Sequence, residues 1–465
     1  MNRFLALPLV VAGGLMLAGC DDDSDSALGT VTEAEVRIIH ASPDAPPVNI
    51  LVDGEAAVEG ADYKEVALLT PPVGDYDLAV QGIIPGVTGD AAIVIGPANF
   101  TFEDGIRYNV VAVDTVAGIR PLTFNDTDPD FSSTTDVRVR IGHLAPNAPA
   151  VDVYVTAAGD GDDLSMTDPL LANVSFEDVA DAVEVPAGDY RVQITANGAT
   201  QAVFDSGSVS LPAGADLFIG AVQNTGANAS ATGASPVSLI VVNGADVSEI
   251  YDADQNAGVR VVHNSADAPE VDVLVDDTEA LANIAFTEAA PSAALDEYAS
   301  LPADTYNIKV AASADNSIVP IEADLTLANG QGYTVAAVGL LGDNTIEALV
   351  LEDSVRSIGT QASLRVVHGA TAAGNVDVYL LPGDQTAIGN ASPTLEDVPF
   401  KAVTGYLPVP QGTYNLRITD TDGNIAISAD GVALDNGGVY TVIARDGQPT
   451  LTDFGLILLD DFVQP

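Results

Sequence analysis

The sequence predicts an all-β protein, four tandem antiparallel β-sandwich domains behind an N-terminal address segment. Three observations carry this. A strand ending in Arg-x-x-His occurs four times, and its histidines, His40, His143, His263 and His368, are the only four in the chain. They lie 103, 120 and 105 residues apart, so one module is written four times. Within each copy, short alternating apolar runs recur at intervals of roughly 8–12 residues between Gly and Pro turns, the pattern of a sandwich.

At 465 residues the chain exceeds what one core can serve, and 47% hydrophobic residues exclude a disordered chain. Sixty-seven acidic against 15 basic residues give a formal charge of −52. Such a field repels phosphate backbones, which excludes nucleic-acid binding. It suits saline surroundings, so the melting temperature should rise with added NaCl as self-repulsion is screened. A flat or falling response in a calorimetric salt series would contradict this. The single cysteine, Cys20, excludes an intrachain disulfide and a cysteine-based zinc site. Tryptophan is absent and aromatics make up 5%, too few for a stacking platform.

The N-terminus begins with one positive charge, Arg3, and an apolar run from Phe4 to Leu17, short of the roughly 20 residues that span a bilayer. With the small-residue ending Leu17-Ala18-Gly19-Cys20, this reads as a secretory signal over residues 1–19. The ending resembles the lipobox of bacterial lipoproteins. That resemblance implies lipidation of Cys20 and an extracytoplasmic protein attached by acyl chains, which hold durably without any spanning helix. Asp21-Asp22-Asp23 opens an acidic tether over residues 20–33. An aspartate there resembles the inner-membrane retention signal of some bacteria, a rule that others do not share, so the choice of membrane stays open.

Modules are expected at 34–126, 134–253, 256–355 and 361–461, joined by short polar segments that suggest a semi-rigid rod. Each opens on a strand, as in Val36-Arg37-Ile38-Ile39-His40. Side chains alternate faces along a strand. Val36, Ile38 and His40 therefore form a core-facing row that the histidine closes, with Arg37 opposite; Arg140, Arg260 and Arg365 repeat its position. A Pro- and Asx-rich loop follows, complete as Ser42-Pro43-Asp44-Ala45-Pro46-Pro47 in the first copy and stripped of proline in the fourth. The next strand carries Asp152, Asp272 or Asp377 nine residues past the histidine, and Asn49 in the first copy. Being outward, these acids suggest cross-strand partners for the arginines. Later a Pro-x-Gly-type turn leads into Tyr76, Tyr190, Tyr306 or Tyr414, which resembles the tyrosine corner of β-sandwiches.

Val-Arg-x-x-His, Ser-Pro-Asp-Ala-Pro, Val-Asp-Val and Ala-Gly-Asp-Tyr together resemble the bacterial domain of unknown function 4397. The resemblance implies an immunoglobulin-like extracytoplasmic module, often placed behind lipoprotein signals, and no activity. The third copy departs from it at Asp304, which replaces the turn glycine.

A buried histidine beside a loop of backbone carbonyls is expected to bond that loop rather than a metal or substrate. Asp126, Asp128 and Asp130 in the first joint are read as solvated linker, with calcium as the alternative ligand. Asp420-Thr421-Asp422-Gly423-Asn424 is read as a hairpin turn, because its glycine is misplaced for a calcium loop. No catalytic fingerprint occurs. The expectation is a lipid-anchored, non-enzymatic cell-envelope protein, a spacer, adhesion or scaffold rod attached to the membrane and facing an envelope protein or polysaccharide. The alternative is an envelope polymer- or calcium-binding protein that uses loops between the repeats.

Overall fold

The computed structural model describes residues 32–159 and 163–463. The signal segment, Cys20 and the acidic start of the tether lie outside the described residues. In the first module Glu35–His40 lies in one sheet, between Val66–Leu69 and Arg107–Val113, with Arg120–Asp126 beyond. Facing it is a second sheet of Glu55–Ala61, Val48–Val52, Gly74–Gly82 and Ile93–Phe102, in that order. The other three modules repeat this plan, so the described chain is all-β and built of paired sheets. The second adds an edge strand at Asp246–Ile250, and the third breaks its edge strand into Ala289–Ala290 and Ala299–Leu301.

One feature departs from a purely antiparallel plan. The opening strand pairs in parallel with the late strand in every module, for example Val36 opposite Tyr108 and His40 opposite Ala112. Parallel neighbours need a long crossover, which the whole second sheet supplies. Tight hairpins turn the second sheet of modules one and three at Asp53-Gly54 and Asp276-Asp277, all with positive φ as mirror-image turns require. Modules two and four replace those hairpins with longer excursions, from Ala157 to Leu171 and from Pro382 to Leu395.

Strand parity places two cores on either side of each opening sheet. Val36, Ile38, Val48, Ile50 and Phe102 fill the first sandwich, and equivalent rows fill the others. The opposite face of the sheet is also buried. Ile39, Val111 and Val113 of module one pack against Leu144, Phe218 and Ile240 of module two, all close to zero exposure. Val262 and Val338 of module three meet Val367, Ile443 and Leu459 of module four in the same way. Each such side chain contributes about 1.5–3 kcal/mol on burial. The expectation of a row of modules on short joints is therefore corrected. Modules one and two, and modules three and four, stack sheet on sheet as two pairs, because the opening sheet is apolar on both faces.

The pairs also touch each other. The segment after the late strand of module two lies on module three, with Ala227 N donating to Gly330 O at 2.7 Å and Asn228 N bonding Asp296. The joint between modules three and four lies on module one, where Gly359 N donates to Asp44 O at 2.8 Å.

Candidate functional site at the module interfaces

All four histidines have one geometry. Nε2 lies 3.2, 3.1, 2.8 and 2.7 Å from the carbonyl oxygens of Pro46, Pro149, Pro269 and Gly374. Nδ1 accepts the amide of Ser42, Ala145, Ser265 or Ala370 at 3.3 Å. Since Nδ1 accepts, the proton is on Nε2, and each ring is a neutral brace that closes its loop. Burial pushes every one of these histidines below its ordinary pKa, His40 to about 4. With both nitrogens engaged, the rings have no free position for a metal or a substrate proton. Among the described residues, no three His, Cys, Asp or Glu side chains are grouped to hold a metal ion.

An element that sequence reading missed completes the brace. Tyr63, Phe176, Phe286 and Phe400 meet the histidines edge-on, at centroid distances of 6.2, 6.4, 6.1 and 6.3 Å. The residue after each aromatic has positive φ, and its amide returns to the histidine carbonyl at 2.7–2.9 Å. The signal was present, but the long excursions in modules two and four shift it by about ten residues, so no fixed spacing revealed it.

The arginines face the stacked interfaces, not solvent. Arg260 and Arg365 are 0% and 2% exposed. Their Nε groups donate to Thr334 and Thr441, each at 3.1 Å, on the parallel neighbour strand. Arg260 then reaches Asp460 of module four at 2.9 Å and Asp353 of its own module at 3.5 Å, while Arg365 reaches Asp353 at 2.7 Å. Thr334 donates to the same Asp353 at 2.5 Å. Tyr298 and Tyr406 cover the two guanidinium groups at 5.2 and 4.8 Å. Two arginines and two aspartates are thus crossed between modules in a buried interface.

The first pair carries a reduced version. Arg37 Nε donates to Asn109 Oδ1 at 2.7 Å, and Asp126 serves both Arg140 at 2.8 Å and Arg37 at 3.9 Å. Module two has Phe218 where the others have Asn or Thr opposite the arginine. It has Gly244, two residues beyond Val242, where modules one and three have their strand-end aspartates. Arg37 Nη1 and Arg140 Nε are left without a hydrogen-bond partner, and the two guanidinium groups lie over Phe218 and Phe124. Burial and the nearby Arg107 charge push Arg37 down to about 10.

The expected pairing of these arginines with Asp152, Asp272 and Asp377 is corrected. The opening strand and the Val-Asp-Val strand lie in opposed sheets, so their outer faces point apart. Asp152 instead accepts the amides of Asn173 and Gly198 at 2.7 and 2.8 Å, Asp272 that of Asn283 at 2.8 Å, and Asp377 that of Asp397 at 2.8 Å. Asn49 does the same for Gly60 at 3.0 Å. Asn173, Asn283, Asp397 and Gly60 all have positive φ, beside a register shift in the edge-strand pairing, so these side chains cap a bulge.

Tyr76, Tyr190, Tyr306 and Tyr414 donate to the carbonyls of Pro72, Pro186, Pro302 and Pro410 at 2.9, 2.7, 3.1 and 2.7 Å, a corner bond in every module. The third copy keeps it although Asp304 replaces the glycine. In the proline-free fourth loop, Asp446 accepts the amides of Thr371 and Ala372 at 2.9 Å. The calcium alternative at Asp126, Asp128 and Asp130 is corrected. Asp126 is turned into the interface, Asp128 lies 3.5 Å from Arg138, and Asp130 is exposed, so the three do not converge. Asp420 accepts the amides of Asp422 and Asn424 at 3.0 and 2.8 Å and shapes a hairpin turn.

A comparison with curated proteins finds no match. The family model described as "Domain of unknown function (DUF4397)" matches residues 34–154, 257–379 and 383–465. The first and second matches each run from an opening strand into the Val-Asp-Val strand of the next module, and the longest unmatched stretch, 155–256, is most of module two, the copy with Phe218 and Gly244. These regions take in well over half of the sequence, and the chain belongs to the family of the domain of unknown function DUF4397.

Proposed function

We propose that this protein is a non-enzymatic scaffold of the bacterial cell envelope, held to a membrane by lipid on Cys20, whose stacked modules present an acidic outer surface to basic or cation-bridged partners. The observation that carries the reading is where the positive charges go. Arg3 precedes the described residues, and fourteen lysines and arginines follow it. Eleven of the fourteen touch another module or a joint: Arg37, Lys64, Arg107, Arg120, Arg138, Arg140, Arg260, Arg356, Arg365, Lys401 and Arg445. Arg191, Lys309 and Arg417 pair with acids of their own modules. Cations thus serve assembly, and the outward field is left to carboxylates, which steers positively charged partners.

The test is capture from envelope extract by the delipidated ectodomain, with and without calcium, alongside fractionation of a Cys20→Ala variant. The captured partners should be basic or calcium-dependent and should elute as salt shortens the Debye length. The variant should leave the membrane fraction. Salt-resistant capture of acidic partners would overturn the surface reading, and an unchanged membrane fraction would overturn the anchor.

A further inference from the structure

The loop at residues 42–47 of module one does more than close a strand. Arg356, in the joint between modules three and four, donates from Nε to Pro43 O at 2.8 Å and from Nη2 to Ala45 O, and its Nη1 pairs with Asp62. The guanidinium group lies 5.0 Å from the centre of the Tyr63 ring, and the Arg356 side chain is only 10% exposed. Two carbonyls, a carboxylate and an aromatic face thus surround one guanidinium group. His40 fixes the loop from behind through Pro46 O, and Asp44 ties it to module one by accepting the amide of Val116 at 2.7 Å.

Both halves of this contact depart from the repeat. The aromatic turn reads Asp62-Tyr63 in module one but Ser175-Phe176, Ala285-Phe286 and Pro399-Phe400 elsewhere. The joints at 127–135 and 251–256 hold no basic residue, whereas the joint at 354–361 holds Arg356. The one turn with an acid directly before its aromatic meets the one joint with a cation. The corresponding loop of module three is used similarly, since Ala266 O accepts the side-chain amide of Gln448 from module four.

We propose that the loop at residues 42–47, with Asp62 and Tyr63, is a binding site for a guanidinium group, filled in cis by Arg356 as a latch between the two module pairs. The site takes guanidinium rather than ammonium, because its two carbonyls and one carboxylate each meet a different nitrogen of the fork, which a single ammonium nitrogen cannot match. When the latch leaves, an arginine side chain of a partner can take its place.

The experiment uses the full ectodomain and argininamide as probe, with lysinamide to account for general attraction to the acidic surface. Arg356→Ala should bind argininamide in preference to lysinamide, while the wild type, already filled, should show only the background common to both probes. Adding Asp62→Asn should weaken argininamide binding about tenfold, the loss expected for a charged hydrogen bond. Equal binding by Arg356→Ala and by Arg356→Ala/Asp62→Asn would overturn the site. Should Arg356→Ala fold poorly, Asp62→Asn alone decides the matter, because it keeps the trypsin-sensitive bond after Arg356. Cleavage there should be at least tenfold faster than in wild type with the melting profile retained, and an unchanged rate would overturn the latch.

Discussion

Asp353→Ala is expected to destabilise the stacked modules three and four by about 3–5 kcal/mol, the usual cost of leaving a buried charge without its partner. Asp353 receives Arg365 at 2.7 Å, Arg260 at 3.5 Å and the Thr334 hydroxyl at 2.5 Å, with its side chain fully buried. Without it, Asp460, which pairs with Arg260, is left to face two guanidinium groups that are almost wholly removed from water, and Arg365 loses its carboxylate partner. The effect should appear in urea titrations of the full ectodomain, in the transition that unfolds modules three and four. Glu347→Ala is a useful control, because Glu347 and its partner Lys401 are 48% and 42% exposed and an ion pair at such a surface contributes about 0–1 kcal/mol. A loss for Asp353→Ala as small as the control's would mean that water reaches the cluster and that the sheets are not stacked as described.

The same cluster sets module two apart from the other three. Modules one, three and four have a polar partner on the late strand and an aspartate at the end of the closing strand; module two has neither. Its face is apolar instead, with Phe218 completely buried. The first pair thus leans on packing and ring–guanidinium contacts, and the second on a balanced charge cluster. Replacing a buried ion set by well-packed apolar groups is often neutral or stabilising. Module two therefore keeps its place in a pair without these polar residues.

The sandwich architecture was legible because parity and turn chemistry are local. Val36, Ile38 and His40 show an inward row in the sequence itself, and Pro72 with Tyr76 shows a corner. Stacking was not legible for a reason equally visible in the residues. Ile39, Val262 and Val367 are apolar on the face that also carries the arginines, and a cation on a strand reads as solvent-facing until a partner sheet is known. The arginine–aspartate pairing failed for the same reason: sequence order suggested a hairpin, whereas the loop after the histidine crosses to the opposite sheet. The true acceptors, Asp126, Asp353 and Asp460, end the closing strands. Asp126 and Asp353 lie just ahead of Arg140 and Arg365 but in the preceding module, and Asp460 lies 200 residues from Arg260, so only the stacking of modules brings the pairs together.

The histidine brace carries a pH dependence of defined sign. Replacing His40 by Leu should cost about 1–3 kcal/mol at pH 7.5, since it strands the Ser42 amide and the Pro46 carbonyl in a buried loop. Burial holds the folded-state pKa of His40 at about 4, against 6.5 for the free side chain, while the opposed charges of Arg356 and Asp62 act with smaller effect. Between those values the unfolded chain takes up a proton that the folded one refuses. The stabilisation is therefore complete above pH 6.5 and falls as pH drops toward 4, at about 1.4 kcal/mol per pH unit. The advantage of wild type over His40→Leu should shrink by about 2 kcal/mol between pH 7.5 and pH 5. Parallel denaturant titrations of the two proteins measure it, and the difference cancels the carboxylate titrations they share. A pH-independent difference would mean that the imidazole can be protonated in place, which its Nδ1, already accepting an amide proton, should prevent.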